Sequence, residues 1–168
     1  GYTTGVSGLA NTSYAVSAGV LSDEDLLVTA TAQAQGGANT YRTVFKTGTS
    51  ASPVWNWEDT ADGGMNTNGT NIYYNQLNAG TWQRTAITTN LFVNYWLVAT
   101  TSYNAPQYIV VMGESTYANL AAAQAATFTS EISDFGLFTT EGIVLYQMTY
   151  QRHNFGAPGN SRLQSVTK

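Results

Sequence analysis

The chemistry open to this chain starts with its acids. Glu58, Asp59, Asp62, Glu114, Glu131, Asp134 and Glu141 could furnish the two carboxylates that cleave a glycosidic bond. That reaction needs two of them at a set separation in one groove, and no pair is marked by spacing. Glu114 stands apart because it follows an apolar run and precedes an Ala-rich one. There a carboxylate favours the start of a helix electrostatically, which is its simpler role. His153, the only histidine, sits beside Arg152 in a polar stretch. A triad also needs a nucleophile and an orienting acid, and no Gly-x-Ser-x-Gly turn occurs. The absence of cysteine excludes thiol catalysis, thiolate metal sites and disulfides. No catalytic residue and no cofactor are assigned, and a non-enzymatic protein is expected.

Two further constellations concern binding. The run 59–69 (DTADGGMNTNG) is rich in oxygen donors, and Asp59, Asp62, Asn66 and Asn68 are its calcium candidates. The spacing of an EF-hand and its closing Glu are missing, and Asp, Asn and Gly are the ordinary residues of long turns, so a turn is the expected role. Aromatic residues are the richer signal, with 11 Tyr, 4 Trp and 6 Phe. Flat rings stack on sugar C–H faces while amides, carboxylates and guanidinium groups bond the hydroxyls. Trp55, Trp57, Tyr73, Tyr74, Trp82 and Tyr103 lie in or beside polar segments and are the binding candidates, for glycan or for a neighbouring subunit. Core packing and subunit contact compete for the same residue types. Trp96, inside FVNYWLV, is expected in the core.

The elements that would position these residues are strands. Alternating or β-branched runs at Leu26–Gln33, Tyr41–Thr47 and Val54–Glu58 read as strands, with Trp55 and Trp57 on one face of the last. Ile72–Gln76 and Trp82–Thr88 flank a Gly-containing turn and read as a hairpin. Phe92–Thr100 and Gln107–Met112 form a second hairpin. Their near-continuous apolar character predicts strands buried on both faces. Tyr117–Thr127 is Ala-rich, with Ser115 or Thr116 as N-cap, and predicts the one helix, near 116–127. Gly142–Gln151 is a further strand, with a short one at Leu163–Val166. The fold class expected is mainly β: an antiparallel, jelly-roll-like β-sandwich with one short helix. Residues 1–168 are expected to form a single domain, with 1–19 read as an extended lead-in and the rise in aliphatic content near 90 as a loose internal boundary.

Composition narrows the function. Charged residues are 10% of the chain, against about 25% in an average domain. The six Lys and Arg are scattered and the net charge is −4, whereas nucleic-acid binding needs clustered cations. No run has the apolar length of a membrane-spanning helix, so neither nucleic acid nor membrane insertion is expected. A surface of hydroxyls and amides bonds neighbours without desolvating charge and responds little to salt.

From Trp82 to Tyr150 the order of segments carries a resemblance. FVNYWLVAT is followed by YIVVMGE, then by STYANLAAA, then by GIVLYQMTY. This order resembles a C-terminal module of bacteriophage virion and tail-fibre-like structural proteins, in which a strand, a Gly-plus-polar turn, a Tyr-x-x-Leu-x-x-Ala helix and a closing strand succeed one another. The resemblance implies a part of a tail fibre, head fibre or other virion surface appendage, extracellular, homotrimeric and in contact with other virion proteins. It also implies a possible host-receptor role, with a surface glycan as ligand. Two alternatives stand beside it: a secreted carbohydrate-binding module or lectin, and a glycan-degrading appendage enzyme.

Overall fold

The computed structural model describes residues 15–23, 26–32, 41–60, 71–100, 108–135, 142–153 and 161–168. Among these residues ten strands and two short helices follow in chain order. The strands are β1 (Gly19–Asp23), β2 (Leu26–Ala30), β3 (Tyr41–Thr49), β4 (Ser52–Thr60), β5 (Tyr73–Asn78), β6 (Thr81–Ala86), β7 (Phe92–Thr100) and β8 (Tyr108–Tyr117). The helices α1 (Leu120–Ala125) and α2 (Phe128–Glu131) precede β9 (Gly142–Arg152) and β10 (Ser161–Thr167). The protein is mainly β, as its alternating runs predict.

β1 and β2 form a small antiparallel pair, and the other strands form one eight-stranded sheet in the order β10-β9-β7-β8-β3-β6-β5, with β4 paired to β3. The sheet is mixed. β3 runs parallel to β8 from Arg42↔Ile109 to Val44↔Val111, so the wholly antiparallel pairing expected of a jelly roll gives way at the centre. Period-2 patterning fixes which face a residue takes and not the direction of its neighbour. Both expected hairpins are present. β5 and β6 are joined by Ala79 and Gly80, both at positive φ (46° and 79°). Two positive φ values in a two-residue loop match the right-handed twist of the strands.

β7 is buried along almost its whole length, because the sheet is covered on both sides. On one face Tyr95, Leu97, Val110, Met112, Met148 and Tyr150 build the larger core. Tyr95 hydroxyl donates to the Tyr73 carbonyl at 2.5 Å and Tyr108 hydroxyl to the Ser17 carbonyl at 3.2 Å. These bonds tie β5 and the segment before β1 over that face. On the other face Val44, Trp96, Val98, Ile109 and Val111 pack with Ile132 and Phe135. Trp96 is 4% exposed, and full burial of a side chain this apolar contributes roughly 2–3 kcal/mol.

The helical region differs from expectation. β8 does not stop at Met112. It continues to Tyr117, with Val93↔Thr116 and Phe92↔Tyr117 pairing beyond a bulge. The N-cap is therefore Asn119, whose side chain accepts the Ala122 amide at 2.8 Å, and not Ser115 or Thr116. Thr127 then caps a second turn through a reciprocal bond with Ser130. Ala-rich composition raises helix propensity by only tenths of a kcal/mol per residue, less than the ladder and packing gained by extending β8. Residues 119–135 thus form a strap laid across the second face of the sheet.

Candidate functional site

The site grows out of the β3–β4 register. Arg42↔Asp59, Val44↔Trp57 and Lys46↔Trp55 are cross-strand pairs, and alternation puts all six side chains on one face. Lys46 is the innermost. Its side chain is 0% exposed and its ammonium lies 2.7 Å from Glu114 Oε1. It also donates to Ser133 Oγ at 2.6 Å and to the Ser133 carbonyl at 2.9 Å. An ammonium has three donors, and three acceptors meet it. The Trp82 ring lies 3.8 Å from the same nitrogen and the Trp55 ring 5.3 Å, within cation–π range. Glu114 in turn accepts the Ser133 amide at 3.3 Å and the Ser133 hydroxyl at 2.8 Å. Trp55 closes the group, donating Nε1 to the Asp134 carbonyl at 3.2 Å and meeting Phe135 edge-on.

By residue type a serine between a lysine and a glutamate could be a nucleophile beside a base. Here Ser133 Oγ accepts from Lys46 and donates to Glu114, while those two bind each other. The arrangement latches the C-terminal end of the strap to β3 and β8. Glu114 is thus a strand residue paired with lysine, six positions before α1, and not the helix-start charge expected from sequence.

A second polar cluster lies under the strap. β7 and β9 present Asn94, Gln147 and Thr149 to this face, all buried. Gln147 Nε2 donates to the Ala123 and Ala126 carbonyls at 2.9 and 3.1 Å, and Asn94 Nδ2 to the Ala123 carbonyl at 2.9 Å. Thr149 hydroxyl donates to Asn94 Oδ1 at 2.9 Å. Glu131, from α2, brings its carboxyl into this cluster, where Oε2 accepts from Asn94 Nδ2 at 3.0 Å and Trp96 Nε1 at 3.2 Å. Gly113 makes the space: a Cβ there would lie 2.3 Å from the Asn94 carbonyl oxygen and 2.4 Å from Glu131 Oε1. Burial pushes the Glu131 carboxyl up to about 7 against the opposing pull of these donors.

The binding candidates separate accordingly. Trp82 is buried and Trp55 half-buried, and both rings face Lys46. Tyr73 and Tyr74 are half-buried against the larger core. Among the described candidates Trp57 alone is well exposed, at 62%. Arg42 lies over its ring at 5.3 Å and is held by Asp59 at 3.0 and 3.4 Å. Tyr103 lies outside the described residues, as do Asp62, Asn66 and Asn68 of the calcium candidates. Asp59, the fourth, is a β4 residue paired with Arg42. Among the described residues no group of three metal-binding side chains occurs.

Three of the described carboxylates pair with cations: Glu58 with Arg84, Asp59 with Arg42 and Glu114 with Lys46. Asp62 and Glu141 lie outside the described residues. His153 bonds Asn90. Sequence reasoning missed the Lys46–Glu114 latch and the buried Glu131. For the latch the available signals were a lysine directly after the alternating run Tyr41–Phe45 and a glutamate straight after Met112-Gly113. Comparison with protein-family models, curated proteins and solved structures finds no match.

Proposed function

We propose that this chain is a non-enzymatic binding and assembly module of a virion surface appendage, a phage fibre or its like, working through the β3–β4 face around Trp57. The observation that carries the reading is Trp57 itself. A 62% exposed indole in the middle of β4, rimmed by the flat Arg42–Asp59 pair, suits stacking on a sugar ring or on an aromatic of a second copy. Exposing a tryptophan forgoes its burial energy, so a contact partner is the economical reason for it. The low charge of the chain supports the same reading, since such a surface associates with little dependence on salt. The virion placement and the homotrimer follow from the resemblance of Trp82 to Tyr150. A secreted carbohydrate-binding module is the second reading, and the same Trp57 favours it.

The test joins sedimentation equilibrium to a glycan array, on the wild type and on Trp57→Ala. A wild-type trimer that Trp57→Ala breaks supports the appendage reading. A monomer whose glycan binding is lost in Trp57→Ala supports the second. A monomer that binds no glycan, or a variant that behaves as the wild type in both assays, would sink the role given to this face. Trp57→Ala should cost about 1 kcal/mol, from the Arg42 cation–π contact and the strand preference of tryptophan, a loss that melting curves measure separately from binding.

A further inference from the structure

Glu131 is the one carboxyl group held deep under the α1–α2 strap among the described residues. The donors Asn94 Nδ2 and Trp96 Nε1 both reach Oε2. Oε1 is buried with no hydrogen-bond partner, pressed into the recess above Gly113. A carboxylate spreads its charge over both oxygens and needs donors for both. A carboxylic acid needs fewer donors and tolerates burial far better. The arrangement therefore fits the neutral acid.

Among the described residues no cation pairs with Glu131. From β8 the titratable neighbour is Tyr117, whose hydroxyl is pushed up to about 12 by burial and then by the Glu131 charge. The Ser115 backbone and the Tyr117 hydroxyl also pull the Glu131 carboxyl down, but burial outweighs them, and neither meets Oε1 at hydrogen-bond distance and angle. From β7 and β9 the strap meets Asn94, Trp96, Gln147 and Thr149, which do not ionise. α1 carries no ionisable side chain. The nearest cation bound to the strap is Lys46, at Ser133, and it is already paired with Glu114.

We propose that the α1–α2 strap is a proton-controlled element: Glu131 holds residues 119–135 to the sheet while its carboxyl carries a proton, and loss of that proton loosens them. What the strap covers gives the loosening its consequence. Phe128, Ile132 and Phe135 seal Trp96, Val98 and Val111, and the Trp96–Phe128 and Phe128–Phe135 ring contacts run edge to face. Lifting the strap uncovers a second apolar surface while the larger core on the other face stays closed. The Lys46–Glu114 latch and the bonds from Asn94 and Gln147 keep both ends tethered, so the change is a local opening.

Amide hydrogen exchange read by mass spectrometry tests this at about pH 5 and pH 8.5, after correction for the intrinsic chemical rate. An opening that returns Glu131 from a midpoint near 7 to its ordinary 4.5 should become on the order of 70-fold more populated across that interval. Peptides from 119–135 should lose protection by that order, and peptides from β9 should not. Glu131→Gln keeps an oxygen for Asn94 and Trp96 and should make the strap equally protected at both pH values. A wild-type strap with equal protection at both pH values overturns the proposal, as does a Glu131→Gln strap that keeps the dependence. Should that variant fold poorly, a carbon-13 carboxyl titration of the wild type decides. A Glu131 midpoint near 7 supports the proposal and one near 4.5 overturns it.

Discussion

Replacing Lys46 by methionine tests how the strap is latched. Methionine keeps most of the aliphatic stem and leaves Glu114, whose side chain is 8% exposed, facing a space that held an ammonium at 2.7 Å. Breaking a buried ion pair from one side costs about 3–5 kcal/mol, and the contacts with Trp82 and Trp55 add about 1–2 kcal/mol. The Ser133 amide and hydroxyl remain on Glu114 and offset part of this, so Lys46→Met should cost about 3–4 kcal/mol. Glu114→Gln leaves the ammonium buried with Ser133 and should cost about 2–3 kcal/mol. The double variant carries neither charge. It should lose about 3–4 kcal/mol, well short of the sum, which gives a coupling of about 2–3 kcal/mol between the two sites. Urea unfolding followed by tryptophan fluorescence measures all three, because Trp82 and Trp55 sit on the altered group. Losses that add to within about 0.5 kcal/mol would refute the reading of Lys46 and Glu114 as one unit.

Three further outcomes follow from the same packing. Asn75 side chain accepts the Lys46 amide at 2.6 Å and donates to the Lys46 carbonyl at 2.9 Å, taking the place of a neighbouring strand where β8 has left β3. Asn75→Ala orphans both groups and should cost about 2–4 kcal/mol in chemical unfolding. Gly113→Ala drives a methyl into the Asn94 carbonyl and Glu131 Oε1, a backbone clash that should cost about 2–3 kcal/mol and lower the melting temperature. Whole-chain stability should fall as pH rises. The folded Glu131 value, about 7, lies above its unfolded 4.5, so its contribution is complete below pH 4.5 and is lost as pH climbs through 7. The loss amounts to roughly 3 kcal/mol at most, and melting curves of Glu131→Gln should lack that component.

What could be read from the residues in order was local. Alternation at Tyr41–Thr47 and Val54–Glu58 marked β3 and β4, the Ala79-Gly80 turn marked a hairpin, and the unbroken apolar run Phe92–Thr100 marked a strand buried on both faces. Those features depend on periodicity and turn chemistry within a few residues, and they survive any arrangement of the strands. The shared face of Trp55 and Trp57 belonged to the same class of inference. Which tryptophan stays open did not, because exposure depends on what lies above a strand. Trp55 is covered by Phe135 and Trp82 by the Lys46 ammonium, both brought from far along the chain, and Trp57 is left open with Arg42 over its ring. The end of β8 and the start of α1 also escaped sequence, since pairing with Phe92 and Val93 outweighs the helix propensity of alanine. The roles of Lys46, Glu114 and Glu131 were decided last of all. A charged residue carries no periodic signal of its partner, and only the parallel seating of β3 beside β8, with the strap folded back over both, determined which charge was neutralised and which carboxyl was left to hold its proton.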